Sequence, residues 1–342
     1  MAESIAVIGG GSWGTALAVL FARSRPGAVI PLWVYEPDLA QAMAETRTNK
    51  IFLPGIALPP EIRPSADLRA CRAPVLVMAT PSHALRPTLA RMASDLPPEA
   101  VLVLATKGLE ANSLLRASEV VESVLGANAS SRLATLSGPT FAREIALGEP
   151  AAVVIASRDV GLGRVLQRQL ATPTLRLYTT SDVVGVELAA SLKNVIAIAS
   201  GICQGLGLGS NTRAALIARG LAEITRLVVA AGGQADTVAG LAGLGDLVLT
   251  CTGELSRNRA LGIALGEGRT LESYRATTPM VAEGVPTTRA ACALAERLGV
   301  EMPITQQMRR VLFEGLAPQL ALAELMQRPP KAENGVERGK VT

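Results

Sequence analysis

Hydrophobic positions in the first 180 residues fall into short continuous runs separated by longer stretches of helical period. The runs at 4–8, 29–35, 75–79, 101–105, 133–136, 151–156 and 175–178 are aliphatic and often β-branched, as strands covered on both faces of a parallel sheet require. Between them, residues 13–24, 38–45, 85–92, 114–124 and 160–170 read as helices. This alternation predicts a doubly wound, Rossmann-like α/β domain over 1–180. From about residue 181 the strand pattern stops. Helical spacing over 183–200, 212–231, 235–249, 257–265, 287–298 and 304–314, with Gly-rich turns between, predicts an all-helical domain over 181–326. A polar, Pro-containing tail over 327–342 is expected to be disordered.

Composition narrows the function. Of 342 residues, 49% are hydrophobic and 18% charged, which excludes a chain disordered over most of its length. The net charge of +4 is spread without a long run of one sign, and aromatic residues are only 3%; both argue against nucleic acid as the main partner. Cys71, Cys203, Cys251 and Cys292 form no CxxC pair and His83 is the single histidine, so a disulfide framework or metal site is not expected. The N-terminus has no basic segment or cleavage site of a secretory signal, which makes the cytoplasm the expected compartment. The longest apolar stretch, 195–209, is broken by Gln204 and four glycines and predicts a buried helix and its exit, not a membrane span.

Chemistry enters through glycines and lysines. Gly9-Gly10-Gly11-Ser12-Trp13-Gly14 fits G-x-G-x-x-G between an apolar strand and an Ala-rich helix. In such a turn Gly9 permits the tight bend, Gly11 lets backbone approach a pyrophosphate, and Gly14 lets helix and strand pack closely. The phosphates would meet the positive end of the helix. The second strand leads into Tyr35-Glu36, where a carboxylate would accept hydrogen bonds from adenosine ribose hydroxyls and repel a 2′-phosphate. NAD is therefore favoured over NADP, although Arg47 could swing in from the next segment. Only five of the 33 basic residues are lysines. Arginine stays protonated whereas a buried lysine can titrate, so Lys107, after an apolar strand, and Lys193, in an apolar helix, are candidates for proton chemistry. Asp246 and Thr250 share one helix face, and Ser256-Arg257-Asn258-Arg259 is a cluster of donors suited to an anion or to an ordinary helix start. Residues 205–212 read as a helix–helix connection with Asn211 or Thr212 as cap. His83 reads as structural or adjacent to a cofactor.

Together the segments at 9–18, 137–145, 187–195, 211–217, 243–252 and 256–259 resemble bacterial NAD(P)-dependent sn-glycerol-3-phosphate dehydrogenases, from the first strand to about residue 314. The resemblance implies a dinucleotide domain and a helical domain with the active site between them, a homodimer, and a role in supplying glycerol phosphate for phospholipid synthesis. It implies that Lys193 is the general acid/base at the substrate C2 oxygen, with Lys107 and Asp246 beside it. Gly138, Thr140, Ser256, Arg257 and Asn258 would complete the site for a phosphorylated three-carbon substrate. Ser12, Trp13, Lys107, Ala142, Arg257, Val281 and Glu283 would serve the cofactor. Bacterial members often carry a basic residue where this chain has Tyr35, so Trp33-Val34-Tyr35-Glu36 is closer to the NAD-preferring eukaryotic form. The alternatives are a related two-domain dehydrogenase of a β-hydroxyacid or 6-phosphogluconate, and a non-catalytic NAD(P)-binding sensor.

Overall fold

The computed structural model describes residues 4–278, 282–330 and 332–333. Ten strands lie in the first part: β1 Ile5–Ile8, β2 Ile30–Trp33, β3 Thr48–Asn49, β4 Leu53–Ala57, β5 Ile62–Ser65, β6 Val75–Met78, β7 Val101–Leu104, β8 Leu133–Ser137, β9 Ala151–Ala156 and β10 Leu175–Thr180. Helices α1 Ser12–Ser24, α2 Pro37–Thr46, α3 Ser82–Met92, α4 Ala117–Leu125, α5 Ala142–Leu147 and α6 Val160–Leu170 alternate with them. Eight strands form one sheet in the order β10-β9-β8-β7-β6-β1-β2-β5. Successive residues of each central strand enter opposite cores. Ile5 and Val7 of β1 pack with α1, α2 and α5, whereas Ala6 and Ile8 pack with α3 and α4; Val75/Val77 and Leu76/Met78 of β6 divide in the same way. Burial on both faces is why these strands carry no polar positions.

The order of connections reverses between β1 and β6, so the crevice at the carboxyl ends of these two strands is the topological switch point where open α/β sheets hold ligands. Two features depart from the sequence reading. β8 and β9 are antiparallel in an otherwise parallel sheet. Residues 48–65 supply three short strands, of which β5 extends the sheet edge beside β2. Their prolines and glycine hide the alternation that would mark a strand, and an edge tolerates them.

The second part is helical: α7 Val183–Gly205, α8 Ser210–Ala230, α9 Ala235–Ala239, α10 Asp246–Thr252, α11 Arg257–Gly266, α12 Leu271–Arg275, α13 Gly284–Arg297, α14 Pro303–Phe313 and α15 Pro318–Met326. Helix α7 is its core; it is long and apolar enough to cross a membrane, yet 94% of its most apolar window is buried inside the protein. The single helix expected over 235–249 is broken. Gly240, Gly243 and Gly245 bracket a π-helical turn at Leu241–Gly245, after which α10 restarts at Asp246. Helix α8 begins at Ser210 with Gly209 at its cap position, so neither Asn211 nor Thr212 caps it. Helices α5, α12 and α15 were not anticipated; they span six, five and nine residues, the first two too short for helical periodicity to stand out. The tail from 327 falls partly outside the described residues.

Two glycine pairs set the packing inside this lobe. Gly201 and Gly205 of α7 face Gly262 and Gly266 of α11 so closely that a Cβ on Gly201 would lie 2.1 Å from the Arg259 carbonyl oxygen, and one on Gly262 would lie 2.0 Å from that of Ile198. The backbones touch. That contact places the first turn of α11 beside α7.

Candidate active site

The turn after β1 has the three glycines in distinct roles. Gly9 adopts a φ of +125°, and a Cβ there would lie 2.7 Å from the Ala79 carbonyl oxygen at the end of β6. A Cβ on Gly14 would lie 1.9 Å from the Gly9 carbonyl oxygen, so this position closes helix on strand. A Cβ on Gly11 would meet nothing within 4 Å, so this backbone faces open space. The turn is held from below by Asn49, whose fully buried amide donates to the Gly10 carbonyl at 2.8 Å and to Thr15 Oγ1 at 2.9 Å.

Helix α1 begins at Ser12 with no side-chain cap and no acidic residue in its first turn, leaving its leading N–H groups and its positive end available to an anion. The indole N–H of Trp13 is buried and has no hydrogen-bond partner among the described residues. An open backbone, an uncapped helix end and an orphaned donor at one spot fit a dinucleotide pyrophosphate and its neighbours. Tyr35 and Glu36 stand exposed just past β2, with Glu36 at the cap position of α2. Arg47 does not reach toward them. Its guanidinium donates to the carbonyls of Leu58, Pro59 and Ile62, which ties it to the chain leading into β5.

Three groups expected to carry the chemistry converge where the lobes meet. Lys193 lies on α7, Asp246 begins α10, and Lys107 follows β7. Lys193 Nζ donates to Asp246 Oδ1 at 2.6 Å and to Thr250 Oγ1 at 2.8 Å. Lys107 Nζ donates to Asp246 Oδ2 at 2.8 Å and to the Gly138 carbonyl at 3.3 Å. One carboxylate, 1% exposed, therefore joins two ammonium groups from separate lobes. Thr250 Oγ1 donates on to the Asp246 carbonyl at 2.6 Å, so its lone pair faces Lys193. Burial lowers the Lys193 pKa to about 8, the Asp246 charge opposing and the Lys107 charge reinforcing the shift. Two cations and one anion leave the cluster with a net positive charge in a poorly hydrated place. Such a cluster attracts an anionic ligand and stabilises negative charge that grows on an oxygen.

Around this cluster the remaining candidates are placed as follows. Gly138, at φ +145°, presents its carbonyl to Lys107 and to the Thr140 hydroxyl. Ser256 caps α11, its Oγ accepting from the Arg259 N–H at 3.2 Å. Asn258 bridges helices, donating to Asn194 Oδ1 and accepting from the Gly284 N–H, both at 2.9 Å. Its carbonyl oxygen is thus committed to packing. Arg257, one residue from the cap, is exposed and makes no hydrogen bond or ion pair among the described residues. Glu283 accepts from Ser82 Oγ at 2.8 Å, and burial raises its pKa while that bond, His83 and Arg257 hold it down. His83 is exposed in the first turn of α3. Ala142 opens α5 and, like Trp13, packs against the core that includes α1. Val281 lies outside the described residues. Sequence reasoning did not single out Asn49, Asn194, Ser82, Glu187 or Ser191, since a polar residue gains its role only from a partner distant in the chain.

A dinucleotide crevice joined to a buried lysine–carboxylate–lysine cluster defines a two-lobed dehydrogenase. The profile of the NAD-dependent glycerol-3-phosphate dehydrogenase N-terminus matches residues 4–162, and that of the C-terminus matches residues 182–323. Glycerol-3-phosphate dehydrogenase [NAD(P)+] of Koribacter versatilis is 51% identical over 332 residues, covering 96% of this chain and 98% of its own. That of Geobacter sp. strain M21 is 52% identical over 337 residues, covering 97% and 99%. The crystal structure of glycerol-3-phosphate dehydrogenase from Coxiella burnetii superposes with a TM-score of 0.90 at 41% identity, covering 95% of this chain and 99% of that one. The chain belongs to the NAD-dependent glycerol-3-phosphate dehydrogenase family.

Proposed function

We propose that this protein interconverts dihydroxyacetone phosphate and sn-glycerol 3-phosphate with a nicotinamide cofactor, NAD or NADP, and that Lys193 moves the proton. The observation that carries the reading is the Lys193 ammonium, 7% exposed, hydrogen-bonded to Asp246 and Thr250 with its pKa lowered to about 8. A lysine so held can be charged before transfer and neutral after it near physiological pH. Residues 1–180 form the dinucleotide domain and 181–326 the substrate domain.

Gly9, Gly11, Ser12, Trp13 and Gly14 hold the cofactor's phosphates, Tyr35 and Glu36 its adenosine ribose, and Ala142, Glu283 and Arg257 its remaining length. When bound, the dinucleotide supplies the hydride. Lys193 donates its proton to the C2 oxygen as the carbonyl is reduced and removes it in the reverse direction. Asp246 holds Lys193 and Lys107 together, and Lys107, with Gly138 and Thr140, lines the substrate. Arg257 at the start of α11 pairs with the substrate phosphate, with Ser256 and Asn258 shaping the turn that presents it. Glu36 favours NAD. A homodimer in the cytoplasm, feeding glycerophospholipid synthesis without stable insertion into the membrane or contact with nucleic acid, completes this reading.

The direct test mixes purified protein with dihydroxyacetone phosphate and either NADH or NADPH and follows loss of reduced-nicotinamide absorbance. Turnover with NADH exceeding that with NADPH is expected. Binding of either cofactor without turnover would point to a sensor, and turnover only on a β-hydroxyacid or 6-phosphogluconate, followed in the oxidative direction, to the related dehydrogenases.

A further inference from the structure

Helix α7 carries a second set of polar residues that the reaction does not use. Glu187, 5% exposed, accepts from the Ser118 N–H and Oγ at 2.9 and 2.7 Å, from Arg116 at 2.9 Å and from Thr135 Oγ1 at 3.2 Å. All four donors belong to the dinucleotide lobe, at β8 and the start of α4. One turn further on, Ser191, 1% exposed, accepts from the Gly108 N–H at 3.0 Å and donates to the Glu187 carbonyl at 2.7 Å. Glu187 and Ser191 are four apart and share a helix face. Lys193 lies two residues beyond Ser191, about 200° around the helix, and faces Asp246 and Thr250 instead.

The segment that Ser191 grips also bears the other lysine. Gly108 has a φ of +138°, and a Cβ there would lie 2.9 Å from Ser82 Cβ, so the backbone is fixed on this side too. Next to it, Leu109 is 1% exposed and packs in the core of the helical lobe. One rigid helix is therefore bolted by one face to the strand that delivers Lys107, while its other face holds Lys193. A slip of α7 along the dinucleotide lobe would carry Lys193 away from Lys107, and Asp246 could not keep both bonds.

We propose that Ser191 and Glu187 are positioning residues that fix the separation of the Lys107 and Lys193 ammonium groups around Asp246 by locking α7 to Gly108, Ser118 and Thr135. The proposal rests on Lys193 as the proton carrier. Displacements near 1 Å at a reacting group cost up to about a hundredfold in rate. Loss of the Ser191 acceptor should therefore act on kcat and leave the distant cofactor turn untouched.

The test is a double-mutant comparison in the full chain, with dihydroxyacetone phosphate and reduced cofactor as substrates. Ser191→Ala is expected to lower kcat about tenfold or more, keep the cofactor KM within twofold, and shift the pH at which kcat falls. In a Lys193→Met background the same substitution should cost the residual rate less than twofold. An equal loss in both backgrounds, or an unchanged kcat and pH profile in Ser191→Ala, overturns the proposal. Near-normal turnover of Lys193→Met alone overturns the reading of Lys193 itself, which separates the two failures. If Ser191→Ala does not fold, the isosteric Thr135→Val removes one donor to Glu187 and is judged by the same comparison.

Discussion

Replacing Gly262 by alanine tests whether backbone contact between α7 and α11 sets the proposed substrate end of the site. The new Cβ would start 2.0 Å from the Ile198 carbonyl oxygen and 2.9 Å from the Gly201 Cα. Reaching even a tight 3 Å contact requires the helices to part by about 1 Å, because both obstacles are backbone and cannot rotate aside. Overpacking of this kind costs about 1–3 kcal/mol, and the gain from alanine over glycine in a helix offsets only about 0.5–1 kcal/mol of it. The net loss, up to about 2.5 kcal/mol, should lower the melting temperature by up to a few degrees. The first turn of α11 moves with the helix, carrying Arg257 and Asn258 away from α7. The KM for dihydroxyacetone phosphate should then rise about tenfold or more. Thermal melting and steady-state kinetics read the two effects separately. Gly163→Ala, inside α6, is the control: a Cβ there meets only Ser157 Cβ at 3.8 Å, an ordinary contact, so the melting temperature should not fall and the KM should stay near its original value. If Gly262→Ala melts within a degree of the parent and keeps its KM within twofold, the glycine contact does not position α11.

Three further outcomes follow from single groups. With Lys193 as the proposed proton carrier, whose folded pKa of about 8 lies below its ordinary value, kcat for dihydroxyacetone phosphate should fall as pH rises through about 8, kcat for glycerol 3-phosphate oxidation should rise there, and Lys193→Met should lower both at least a hundredfold. Arg257→Ala should raise the KM for the phosphorylated substrate about tenfold or more, since a charge-assisted hydrogen bond is worth about 1.5–3 kcal/mol; an unchanged KM would remove Arg257 from the phosphate site. Glu223 on α8 accepts from the Ile304 and Thr305 N–H groups at the start of α14, and burial raises its pKa from 4.5 to about 7. A raised carboxyl favours folding below pH 4.5 and loses that contribution as pH rises to about 7, so melting temperature should decline across this window, and Glu223→Gln should flatten the decline.

The residues that meet in the buried cluster were legible by type. Lys107 and Lys193 stood out because the chain otherwise uses arginine, and the glycines at 9–14 because strand and helix flank them. Asp246 and Thr250 were visible as one helix face, but as part of a longer helix. The break at Leu241–Gly245 that starts α10 at Asp246 belongs to the packed lobe, where a Cβ on Gly243 would strike the Val238 backbone. The sequence also contains Gly201-x-x-x-Gly205 and Gly262-x-x-x-Gly266 in plain view. Nothing in either segment says that the two meet, since helical spacing records which residues share a face and not which face another helix will cover.

What the chain determined alone is the alternation of doubly buried strands with helices, the helical second part and the glycine turn after β1, because periodicity and glycine torsions act within a few residues. What only the tertiary structure decided is the convergence. Asp246 lies 139 residues from Lys107 and 53 from Lys193 along the chain, yet bonds both. Arg47 could on paper swing in toward a 2′-phosphate, and its bonds to carbonyls leading into β5 hold it elsewhere. Hydrogen bonds and ion pairs across such distances exist only after two cores have closed, so their partners are properties of packing and not of local pattern.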